Sequence, residues 1–323
     1  MRKLFSALIL ILLLPFPSCK KDFPDLDFKQ EMRKFIMEIS AYARAQNPSF
    51  IIIPQNGPEL YTSNGLSTGD VVPDFFNSIN GVGREDLNYG YDNDNKATKS
   101  DDNEYMLGFS IVAANHGKKV LVTDYCSDHS FIDNCFSVNS SNGFISFPSA
   151  DRELRAIPTY PSTPENENAT DIVNLDSAKN FLYLINTDIF TSKQDFIQQV
   201  AAKNYDVIIM DAFFNDELFS SSEINQLKHK ANGGIRLVIA YMSIGEAEDY
   251  RWYWQKNWKR GNPDFIEKQN PQWKGNYKVR YWMTDWKNII YGTADSYTQK
   301  LLNSGFDGAY LDIVDAFEYF EGN

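Results

Sequence analysis

The sequence predicts an α/β protein of the (β/α)8 TIM-barrel class, and three observations carry that prediction. Apolar runs that end in polar or acidic residues recur eight times, and helix-length segments separate most of them. The 323 residues are 43% hydrophobic and 15% aromatic, enough for the core of one large α/β domain without disulfides.

From Phe28 onward Met32, Phe35, Ile36, Ile39 and Tyr42 recur at helical spacing, until Asn47 and Pro48 stop the helix. SFIIIPQNG follows, a continuous apolar run of the kind a strand buried on both faces needs, ending at Gln55 and Asn56. The unit then repeats. GVGRED ends at Glu85 and Asp86, KKVLVTDY at Asp124 and Tyr125, and NFLYLINTD at Asn186 and Asp188. YDVIIMDAF ends at Asp211, IRLVIAYMSIGEAEDYR at Glu246 through Arg251, KVRYWMTDW at Asp285, and GAYLDIVD at Asp312 and Asp315. SKQDFIQQVAAKN and SSSEINQLKHKANGG are two of the intervening helices. Residues 88–104 and 157–171, rich in Asn, Asp and Pro, read as long surface loops. The first lacks the glycine and distal glutamate of an EF-hand, so a solvated loop is expected there and not a calcium site.

Residues 1–19 read separately. Arg2 and Lys3 precede an apolar run, Leu4 to Leu14, which is too short to span a bilayer and has the form of a secretory signal. Ser18 before Cys19 resembles a bacterial lipobox, so lipidation at Cys19 is expected, with 20–27 as a tether and 28–323 as a single barrel domain. The protein is thus expected on the bacterial envelope, lipid-anchored at the periplasmic face or cell surface, or else secreted. Membrane contact is expected through that anchor only. Cys126 and Cys135 lie nine residues apart in one segment. A local disulfide and two unpaired thiols stand equal for them.

A formal net charge of -12 argues against a nucleic-acid partner, which needs a basic face. With three histidines, no HExxH and no GxSxG, the sequence also argues against a Ser-His-Asp hydrolase or a histidine-rich zinc site, and no cofactor or metal is expected. What is abundant at the strand ends is carboxylate, and strand C-termini of a TIM barrel converge on one mouth. Paired carboxylates with aromatic platforms describe a glycoside hydrolase site. All six tryptophans fall between 252 and 286, and Trp282, taken as part of a strand, is the one expected to look into the mouth.

Together AYMSIGEAEDYRWYW, YDVIIMD, GFDGAYLDIVDAFEYF and IIIPQNGPEL resemble glycoside hydrolase family 114, the endo-α-1,4-polygalactosaminidase-like barrels. The synthetase signatures HIGH and KMSKS are absent, which discounts the cysteinyl-tRNA synthetase label given to part of that family's bacterial branch. The resemblance implies Asp312 as catalytic aspartate, with Asp315 its neighbour, and Glu85 as catalytic glutamate, preferred to Asp86. It implies a mouth lined by Asp211, Glu246, Glu248 and Arg251, and an amino-sugar (galactosamine-type) polysaccharide or oligosaccharide as substrate. The remaining substrate contacts expected are Tyr241, Trp282, Gln55, Asn56, Arg84, Asp124, Tyr125 and Asn186. In similar proteins the strand YLDIVDAFEYF is followed by the helix containing ISAYAR, then by IIPQNG and GREDL. Here those parts come first, so a circular permutation is expected. The alternative from another class is a non-catalytic glycan-binding barrel on the cell surface; a metal-dependent esterase would need a metal site built almost wholly from carboxylates.

Overall fold

The structure is a computed structural model and describes residues 26–322. The segment expected to be a lipoprotein signal, with Cys19, lies outside the described residues.

The first helix, α1 (Phe28–Gln46), is capped by the Asp27 carboxylate, which accepts from Gln30 N at 2.9 Å. Its apolar stripe is fully buried at Met32, Phe35, Ile36, Ile39 and Ala43. Among the described residues eight parallel strands follow: β1 (Ile51–Pro54), β2 (Gly81–Glu85), β3 (Lys119–Tyr125), β4 (Ile145–Ser149), β5 (Phe181–Leu184), β6 (Val207–Asp211), β7 (Leu237–Ser243) and β8 (Gly308–Asp312). Helices α2 (Pro73–Ser78), α3 (Ser100–Asn115) and α4 (His129–Ser141) stand between β1 and β4. Helices α5 (Lys193–Ala201), α6 (Ser221–Leu227), α7 (Thr284–Ile290) and α8 (Tyr297–Ser304) stand between β5 and β8, and α9 (Phe317–Glu321) follows β8.

Parallel ladders run β5–β6–β7–β8–β1 in one sheet and β2–β3–β4 in another. A parallel bridge between Gln55 and Gly83 joins the sheets, helped by Asn56 N donating to Gly83 O at 2.9 Å and Asn80 N to Ile52 O at 2.9 Å. Neighbours in space are therefore neighbours in sequence, with β8 beside β1, which is a TIM-barrel-type arrangement. Across the remaining seam, from β4 to β5, Phe147 and Phe181 meet with ring centroids 5.5 Å apart.

The strand count agrees with the sequence expectation but one member differs. KVRYWMTDW is no barrel-type strand: Asn276–Val279 pairs antiparallel with Glu246–Glu248 and Ile266–Gln269 in a small separate sheet, and α7 takes over at Thr284. The eighth parallel strand is β4, ISFPS, which the sequence reading leaves out. Its Pro148 has no N–H for a ladder and reads as a breaker, yet β4 makes its ladder with β3 alone, where that loss is tolerated.

The described ends of the chain meet. Lys29 Nζ lies 2.6 Å from Glu321 Oε2, and the rings of Phe28 and Phe320 stand 5.5 Å apart. The loop 157–171 has no regular element, as expected, and is fastened by a fully buried ion pair, Lys230 with Asp206 at 3.0 Å. Lys230 Nζ also donates to the carbonyls of Asn168 and Thr170, which occupies the ammonium and offsets the cost of burying the charge.

Candidate functional site

Three neighbouring strands, β8, β1 and β2, leave the sheet in the same way. Asp312, Gln55 and Glu85 are each followed at once by a left-handed residue, Ile313 (φ 56°), Asn56 (φ 59°) and Asp86 (φ 58°). For β-branched Ile313 this conformation costs on the order of 1–3 kcal/mol, a strain that clusters at functional sites. Its effect is visible: the Ile313 N–H turns back to donate to Asp312 Oδ1 at 2.8 Å. Asn56 likewise ties itself to Glu85, its Nδ2 donating to Glu85 Oε2 at 3.1 Å and its Oδ1 accepting from Glu85 N at 3.3 Å.

Asp312 and Glu85 line one cavity of about 480 Å³ at the C-terminal ends of the strands. Tyr241 donates to Asp312 Oδ2 at 2.6 Å, and Tyr125 donates to Glu85 Oε1. Burial, and next the charge of Glu85, push the Asp312 carboxyl up to about 7, against the pull of Tyr241 and Ile313 N–H. Beneath them lie the buried rings of Tyr183 and Tyr310, 5.1 Å apart. Tyr183 donates to Gln55 Oε1 at 3.0 Å. The Tyr310 hydroxyl occupies the space over Gly83, where a Cβ would sit 1.9 Å from it, so that strand position admits only glycine.

Two arginines brace the walls. Arg251 bonds Asp211 at 2.8 Å and Glu248 at 2.6 Å; Tyr250 donates to the other oxygen of Glu248 at 2.6 Å. Burial opposes the charge on Arg251, yet those two carboxylates raise its pKa well above the usual arginine value. Arg152 lies over the Tyr125 ring at 3.8 Å and pairs with Asp86 at 2.9 Å. Burial raises Asp86 to about 6 despite that arginine. Asp315, also lining the cavity, is raised to about 6, by burial first, with Lys278 and Arg84 opposing.

The structure brings Asp312, Glu85, Asp211, Tyr241, Arg251, Asp315, Gln55, Asn56, Tyr125 and Asn186 to this cavity. Four other expected contacts are placed elsewhere. Glu246 is fully buried behind the wall, 3.2 Å from Lys278, with Asn270 donating to it at 2.9 Å. Asp124 is fully buried and accepts from Asn88 N, Asn88 Nδ2, Tyr89 N and Asn139 Nδ2, so it fastens a loop to β3 and has no oxygen left for a ligand. Arg84 donates to the Glu85 carbonyl at 3.0 Å. Trp282 lies in the turn before α7, against Phe28 and Phe320 at 5.1 and 4.7 Å, because its segment is not a barrel-type strand.

Sequence reasoning missed Arg152, for which no motif exists, and Trp273 and Tyr250, which line the cavity mouth. For Trp273 there was a signal: NPQWKGN puts an aromatic between turn residues, where packing does not explain it. Cys126 and Cys135 are buried side by side and unbonded in the structure, with sulfurs 3.8 Å apart. Among the described residues no group of three or more His, Cys, Asp or Glu could hold a metal ion.

Parallel strands that gather carboxylates from separate strand ends into one aromatic-rimmed cavity define a barrel-type protein with an acid-lined site. More particularly, a model of glycoside-hydrolase family GH114 matches residues 162–323, half of the chain, and the chain belongs to that family. It is 37% identical over 186 residues to an uncharacterised protein of Methanocaldococcus jannaschii, covering 56% of this chain and 50% of that one. It is 32% identical over 122 residues to an uncharacterised protein of Thermotoga maritima (38% of this chain, 36% of that one) and 35% over 126 residues to one of Deinococcus radiodurans (39% and 38%). The matched part thus spans half or less of each relative.

Proposed function

We propose that the protein is a glycoside hydrolase that cleaves a galactosamine-type polysaccharide, with Asp312 as general acid and Glu85 as base or nucleophile. The observation that carries this reading is the pair itself. One carboxyl, raised to about 7, keeps its proton near neutral pH, while the other has both oxygens held by donors, Tyr125 and Asn56, in the same cavity. Separated protonation of two carboxyls is what glycosidic bond cleavage requires. The cavity lining carries more carboxyl groups than the cations Arg152, Arg251 and Lys274 compensate, an excess that suits an ammonium-bearing sugar.

The test is release of reducing ends from galactosamine-containing polysaccharides. Asp312→Asn and Glu85→Gln are each expected to lower kcat by about 10²–10⁴-fold while the protein stays folded. Full activity in both variants overturns the assignment.

The same proposal includes a closed (β/α)8 barrel, permuted in sequence. The family match begins at residue 162 and takes in β5 to β8, while β1 to β4 stand before it, and Phe28 packs against Phe320. Envelope localisation through a lipid on Cys19 completes the reading, placing the enzyme where an extracellular glycan is met.

A further inference from the structure

Trp273 and Tyr250 are large rings left in water, 47% and 53% exposed, on a protein that buries most of its aromatics. Both line the cavity that holds Asp312. Single exposed apolar residues are ordinary, but two together at the lip of an acid-lined cavity are not. Neither sits on a loose loop. Trp273 stands between the antiparallel strands Ile266–Gln269 and Asn276–Val279, where Asn270 N donates to Asn276 O at 2.7 Å and Asn276 N to Trp273 O at 3.1 Å. Asp249 N donates to Gly275 O at 2.8 Å, tying this hairpin to the turn that carries Tyr250. Gly275 is left-handed (φ 98°), a conformation strained for any residue with a Cβ, so the turn that makes this contact favours glycine. Tyr277, two residues on, packs against Trp254 with centroids 4.7 Å apart and the rings tilted by 30°. Tyr250 is fixed by its hydroxyl on Glu248 and by Arg251 over its ring at 5.2 Å.

We infer that Trp273, with Tyr250 beside it, is a binding platform for sugar units of the glycan that lie beyond the pair Asp312 and Glu85, so that this protein favours long chains over short ones. The apolar face of a pyranose ring matches the face of an indole, and a rigid indole loses little entropy when it binds. Lys274, next to Trp273, and Asn276, at the far end of the same turn, line the same cavity and supply donors for the ring hydroxyls that stacking leaves unsatisfied. Around the ring of strands the platform follows β7, on the far side of Asp312 from Glu85, so it addresses the chain outside the bond being cut. The inference rests on the proposed hydrolase site, and its test separates the two.

The experiment compares wild type, Trp273→Ala and Trp273→Phe on galactosamine oligosaccharides of two to eight units, with thermal melts to confirm folding. For the longest oligomers kcat/KM is expected to fall about tenfold in Trp273→Ala, carried by KM, while the shortest cleaved oligomer changes less than about twofold. Trp273→Phe, which keeps a smaller ring, is expected to recover part of the loss. In the Asp312→Asn background, calorimetry is expected to give about tenfold weaker octasaccharide binding without the indole. Equal chain-length dependence and equal affinity in wild type and Trp273→Ala overturn the platform and leave the hydrolase reading standing. Trp273-dependent binding without cleavage of any oligomer keeps the platform and overturns the hydrolase reading; absence of both binding and cleavage overturns both.

Discussion

Tyr241 on β7 donates a 2.6 Å hydrogen bond to Asp312 Oδ2 on the adjacent strand β8. The bond favours the ionised carboxylate, so it opposes the burial and the Glu85 charge that raise Asp312 to about 7. The value that suits a general acid is thus a balance of opposed influences, and each can be moved separately.

Tyr241→Phe removes the side-chain donor that pulls the Asp312 pKa down. Asp312 then holds its proton to higher pH. A general acid is active below its pKa, so the alkaline fall of kcat against pH is expected to move upward in this variant, with kcat at the optimum reduced about tenfold by lost positioning. A limb that stays in place or moves down removes Asp312 from the role of acid.

The same shift has a cost in stability. The folded-state pKa lies above the unfolded value, so the stabilisation is fully present below about pH 4 and is lost as pH rises through about 7. Asp312→Asn removes the buried charge. It is expected to melt higher than wild type at pH 8, by a stability gain of about 2–4 kcal/mol, and the gain is expected to vanish near pH 4. Melting curves across this range measure it directly.

Arg251 sits between Asp211 and Glu248 and is almost wholly buried. Arg251→Met leaves two carboxylates facing each other without a counter-charge, which costs about 3–5 kcal/mol. The melting temperature is expected to drop by roughly 5–15 °C. The triple change Arg251→Met, Asp211→Asn, Glu248→Gln is expected to recover most of it, because no unpaired charge remains; a triple variant as unstable as the single one refutes the electrostatic account.

The contact of Lys29 with Glu321 allows a rearranged chain. Joining residue 322 to residue 27 by a short linker and opening the chain between Pro161 and Glu165 is expected to give a protein that folds and melts within a few degrees of the original. This cut spares Asn168 and Thr170, which hold the buried Lys230. Failure to fold counts against the proposed permutation and barrel closure, since near-adjacent ends tolerate such a change only in a fold that is otherwise unchanged.

Much of the molecule was legible in its residues because buried parallel strands are written as continuous apolar runs with polar ends. Seven of the eight strands followed from that pattern, and Asp312, Glu85, Asp211 and Gln55 could be named from it as strand-end groups. The pattern failed at β4, where Ser146 and Pro148 break the apolar run, and at KVRYWMTDW, which looks like a strand but of which only Lys278 and Val279 are extended, in an antiparallel strand outside the parallel sheets, before the chain turns into α7. Periodicity states that a segment is extended and half or wholly buried, never which partner it finds.

What the sequence by itself determined, then, is the α/β repeat, the acids at the strand ends and the likeness to its family. Tertiary structure decided which of those acids are functional candidates. Asp124 and Glu246 end apolar runs just as Asp312 does, yet one is saturated by backbone and amide donors and the other is walled in beside Lys278. Only three-dimensional packing fixes how many donors and charges reach a carboxylate and how much water it keeps. It also placed Trp273, rather than Trp282, at the mouth, since one hairpin turns its indole outward while the other tryptophan packs between Phe28 and Phe320 where the described ends of the chain meet.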